Sequence, residues 1–107
     1  MDIKKISASY GLTVEEFRGI LEVFVPTAQA DIGKIGAARQ KGDAGAAEEA
    51  AHSLKGAAGN LGFVEMSETA RRVEIDARNN DLAAIERALP LLAEQLEVII
   101  AQISAGT

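Results

Sequence analysis

The chain has 107 residues, 16 acidic and 11 basic, and its net charge of -5 argues against nucleic acid as the main partner. It has no cysteine, which excludes disulfides, zinc–thiolate centres and thiol catalysis, and a single histidine leaves little for a metal site. No apolar run reaches the ~18 residues of a membrane span and the N-terminus lacks a signal-peptide pattern, so the expectation is one domain over residues 1–107, in the cytoplasm and away from membranes.

Few aromatics, two prolines and much Ala, Leu, Ile and Glu favour helix, and the apolar spacing is helical almost throughout. A short N-terminal helix within residues 1–11 carries Ile3, Ile6 and Tyr10 on one side and stops at Gly11. The next helix starts at Thr13. Thr13 and Glu16 have capping-box spacing, and Leu12 and Phe17 sit where a hydrophobic staple would. Its apolar stripe is Val14, Phe17, Leu21, Phe24, Ala28, Ile32 and Ile35. Pro26 falls inside that stripe and predicts a kink or local break, with the stripe resuming in phase.

Gly42-Asp43 reads as a stop followed by a new N-cap. The helix after it carries Ala47, Ala51, Leu54, Ala58 and Leu61 and ends at Gly62. A further helix carries Met66, Ala70, Val73 and Ala77. Asn79-Asn80-Asp81 breaks the chain and caps the last helix, whose stripe is Leu82, Ile85, Leu89, Leu92, Leu96, Ile99 and Ile103, with Pro90 bending it near its start. The expected fold is all-α: an antiparallel four-helix bundle over residues 13–104, with the short first helix across one end.

On a helical wheel His52 falls about 135° from the centre of the buried stripe of its helix. Glu48, Lys55 and Gly59 share that outward side, with Gly56 beside them. A lone exposed histidine is usually inert. Two features set this one apart. Gly56 and Gly59 replace alanine where each glycine costs a helix ~1 kcal/mol, which suggests clearance for something approaching the ring. Lys55, three residues on, places an ammonium within reach of any anion held there. Neutral imidazole is a nucleophile near pH 7 and can take a phosphoryl group on nitrogen. Phosphoryl transfer needs mainly positioning and charge stabilisation.

The run His52-Ser53-Leu54-Lys55-Gly56, followed by Ala57-Ala58-Gly59-Asn60 and Leu61-Gly62, resembles the signature of histidine-containing phosphotransfer (HPt) domains of two-component phosphorelays. The resemblance covers nearly the whole chain and implies a four-helix bundle with the histidine exposed on the second long helix. It also implies an acidic or amide residue 22 positions after the histidine that orients the ring, which here is Glu74, next to Val73. The wheel places Glu74 about 70° off the buried stripe of its helix, able to lean toward its neighbour. The plainer reading of Glu74 is a surface pair with Arg71 or Arg78.

By the same resemblance, His52 accepts a phosphoryl group from a receiver aspartate and passes it to another receiver. Lys55 offsets its charge, Gly56 and Gly59 leave room for the receiver, and Arg71 and Arg78 contribute to a basic docking spot. Ile20, Val25 and Phe63 are candidates for an apolar part of that surface. The implied partners are receiver domains of response regulators, with a hybrid sensor kinase as a further candidate. This chain is expected to be monomeric, to bind no cofactor or metal and to lack kinase activity of its own; Mg²⁺ is expected in the receiver. The alternatives are the phospho-acceptor domain of a chemotaxis-type histidine kinase and a non-catalytic module that docks a regulator.

Overall fold

The computed structural model describes residues 2–104, leaving the first and last residues of the expected 1–107 domain outside the described part. These residues form five helices and no strand: α1 (Ile3–Ser9), α2 (Val14–Lys41), α3 (Ala44–Asn60), α4 (Val64–Arg78) and α5 (Leu82–Ser104). α2 packs on α3, α3 on α4, α4 on α5 and α5 back on α2, which closes a ring of four. Short turns join successive members, so neighbours run antiparallel.

The helix ends follow from local chemistry. Thr13 and Glu16 form the reciprocal capping box at the start of α2. Gly42 ends α2 in a left-handed conformation (φ 70°) that a residue with a Cβ adopts at a cost. Asp43 then accepts from the Ala46 amide to start α3, and Asp81 does the same for the Ala84 amide in α5.

Pro26 does not break α2. The 28-residue helix is continuous through it, and at 1.5 Å per residue it spans about 42 Å, the length of the molecule's long axis. The proline and Glu22, whose carbonyl loses its usual donor, both face solvent, where water can pair with that carbonyl. Leu21 and Phe24 before the proline, and Ala28 and Ile35 after it, are all buried, so the stripe holds its phase. Pro90 is likewise exposed within an unbroken α5.

The core is continuous from Phe17 and Leu21 on α2, through Ala51 and Leu54 on α3 and Val73 on α4, to Ile85 and Leu92 on α5. Two residues expected on a docking surface belong to it instead. Val25 widens the buried face of α2, and Phe63 packs its ring 5.4 Å from that of Phe24 and 6.2 Å from that of Phe17. The left-handed Gly62 (φ 78°) turns the chain so that Phe63 points inward. α1 sits at this end of the bundle. Its C-terminal neighbour Tyr10 stacks on Phe17 and donates a 2.6 Å hydrogen bond to the Asn60 carbonyl.

Phe17 is fully buried between Tyr10 and Phe63. Phe17→Ala is therefore expected to cost about 3–5 kcal/mol, read as a lower midpoint in urea at unchanged slope. A cost below ~1 kcal/mol would mean the aromatic cluster does not consolidate this end.

Candidate functional site

His52 stands midway along α3. The buried side of that helix is built from small residues (Ala47, Ala50, Ala51 and Ala58) around Leu54, so its neighbours approach closely. The imidazole points away from this side and is 68% exposed.

Glu74 is buried, although it carries a carboxylate. Its Oε2 lies 2.7 Å from His52 Nδ1 and its Oε1 accepts a 2.7 Å bond from Lys55 Nζ. The Lys55 ammonium, above all, holds the Glu74 carboxyl below its ordinary value of 4.5; burial pushes the other way, and the His52 hydrogen bond adds to the lowering. The carboxyl is therefore ionised at neutral pH and can only accept. The bond to the ring then runs from Nδ1–H to the carboxylate, and in the neutral imidazole this leaves Nε2 with a free lone pair on the exposed side.

A second tier supports this carboxylate. Arg78, one turn further along α4, reaches Glu74 Oε2 at 3.5 Å and donates from Nε to Glu48 on α3 at 2.6 Å. Arg71 does not join the site and pairs with Glu68 on its own helix. Both arginines are matched by carboxylates, so the surface beside His52 alternates in sign and is not the basic spot expected from sequence.

The two glycines part company. A Cβ on Gly56 would meet nothing within 4 Å, so that position opens to the outside. A Cβ on Gly59 would stand 3.2 Å from Ser67 Oγ. Gly59 therefore serves the packing of α3 on α4, where Ser67 donates to the Lys55 carbonyl at 3.0 Å. Its expected place in partner clearance is corrected accordingly.

Sequence reasoning did not find Ser67, nor the buried Asp31 on α2, which accepts from Ser53 Oγ at 2.9 Å on the other flank of α3. Neither residue has a local pattern that could reveal it. Glu48 carried a signal, since it lies one turn before His52 on the outward side.

The fold and site define a helical bundle that presents one oriented imidazole from a helix flank. The family model for the Hpt domain matches residues 19–105, and the chain belongs to that family, whose members are phosphotransfer modules of two-component relays without kinase activity. No curated protein matches the chain, and no solved structure does. No helix among the described residues is long and apolar enough to cross a membrane.

Proposed function

We propose that His52 is the phosphoryl-accepting residue of this Hpt domain, and that it takes the group from a receiver's aspartyl phosphate and passes it to the aspartate of another receiver. The observation that carries this reading is the 2.7 Å contact between Nδ1 and the ionised Glu74. It leaves Nε2 as the nucleophile. The Nε2 lone pair forms the bond to phosphorus, the P–O bond to the aspartate breaks, and its electron pair leaves with the carboxylate. The receiver supplies Mg²⁺ and most of the charge stabilisation. Lys55 is 31% exposed at its side chain, so its ammonium can turn from Glu74 toward the incoming phosphoryl oxygens.

Docking would use the open space over Gly56 and the adjoining α2/α3 groove. That groove is lined by Ala57 on α3, by Leu61 at its C-terminal cap and by the exposed Ile20 and Val23 on α2. Of the three residues expected on this surface from sequence, only Ile20 is exposed. The test is incubation with a set of phosphorylated receiver domains, in the cytoplasmic pH range. An acid-labile, base-stable phosphate mapped to His52 by mass spectrometry supports the reading. Label that arises only with ATP and a kinase domain would instead favour a kinase-fed acceptor.

Gly56→Gln separates docking from stability. Gln suits a helix better than Gly by about half a kcal/mol and the Cβ it adds meets nothing within 4 Å, so the variant should melt slightly higher. Its side chain would occupy the receiver's approach, and transfer should fall by about tenfold or more, equivalent to ~1.4 kcal/mol of docking. Unaltered transfer would remove Gly56 from the interface.

A further inference from the structure

Seven large apolar side chains are exposed among the described residues, and five of them fall in two grooves. Ile20 and Val23 belong to the α2/α3 groove already assigned to the receiver. Val64, Leu91 and Val98 line a second groove between α4 and α5. Because the four helices close a ring, this groove lies on the opposite side of the bundle from the first.

The second groove has a volume of about 450 Å³ and a floor formed in part by Phe63, Met66 and Ile99. Leu91 and Val98 stand two turns apart on α5, about 10 Å, which is the repeat of an aliphatic stripe on a facing helix. Both charged residues that line it, Glu65 from α4 and Glu94 from α5, are acidic, and no lysine or arginine lines it. Gln95 adds a third feature. Its Nε2 donates to Thr69 Oγ1 at 3.0 Å, but its Oε1 is buried and finds no donor among the described residues.

We propose that the α4/α5 groove is a docking site for a cationic amphipathic helix of a partner protein. Its aliphatic stripe lies over Leu91, Val98 and Val64, and lysine or arginine side chains on its flanks face Glu65 and Glu94. Charge excludes the simplest rival. A second copy placed symmetrically on this face would bring the Glu65 and Glu94 carboxylates of both copies into one interface with no lysine or arginine to offset them, on a chain whose net charge is already -5. The two grooves occupy opposite sides of the ring and approach each other only at the α1 end, where Leu61 lines the first and Gly62 and Phe63 line the second.

The test titrates the isotopically labelled chain with a synthetic helical peptide bearing a leucine stripe flanked by lysines, and with its glutamate-flanked twin. Saturable amide shifts are expected at Val64, Leu91, Gln95 and Val98 with the lysine peptide, and the twin should bind at least about tenfold more weakly. Leu91→Asp and Glu94→Lys, both at exposed positions, should each weaken the lysine peptide by about tenfold while phosphoryl acceptance stays unchanged. Four outcomes would overturn the proposal: no saturable binding, shifts on the α2/α3 groove, binding indifferent to Leu91→Asp, or self-association through these same residues.

Discussion

His52→Gln is expected to abolish phosphoryl acceptance while leaving the bundle intact. The side chain is 68% exposed and its one buried partner, Glu74, stays within reach of the glutamine amide, so the change should move stability by less than ~0.5 kcal/mol. Glutamine keeps a donor that can reach Glu74 and loses the nucleophilic nitrogen. Circular dichroism should be superimposable on that of the wild type, and the acid-labile label should vanish. A labelled His52→Gln protein would place the phosphoryl group elsewhere and sink the assignment.

Glu74→Gln is expected to slow acceptance by about 10- to 100-fold, the range found when a metal-bound imidazole loses the carboxylate that orients it. An amide can either donate to Nδ1 or accept from it, so the ring would no longer be held as one tautomer. Nitrogen chemical shifts of the imidazole read that directly and would not respond to a merely structural role. The substitution also has a signature in acid. The Glu74 carboxyl is lowered on folding, chiefly by Lys55. It therefore contributes stability that is present above the unfolded value near 4.5 and is lost as pH falls through the lower folded value. Replacing it should flatten the acid limb of the stability curve below about pH 4.5. If Glu74→Gln keeps both the wild-type rate and a single tautomer, the carboxylate does not orient the ring.

Much of this was legible in the sequence because it is local. The capping box at Thr13 and Glu16, the stop at Gly42 and the stripes on α4 and α5 depend on residues within one or two turns. His52 could be placed outward for the same reason, and Glu74 through its wheel position together with the motif. What escaped depends on neighbours across the bundle. Gly56 and Gly59 look alike on α3, and only the position of Ser67 on α4 tells open space from a tight contact. Phe63 looks like a surface candidate until the backbone turn at Gly62 is known. Pro26 signals a break, but its tolerance depends on which side of α2 faces water. The bond between Ser53 and Asp31 joins residues with no periodic relation and leaves no trace in either helix pattern.

His52 sits at the midpoint of α3, between Ala44 and Asn60, and not on a loop. A reactive group on a loop must be immobilised anew by each protein it meets, and that ordering is a loss of entropy at every encounter. A helix midpoint is already rigid, so association forfeits little beyond overall tumbling and translation. Alignment then does not depend on tight binding. A carrier that visits two partners in turn can have short residence times on both, and its throughput is set by how fast it lets go.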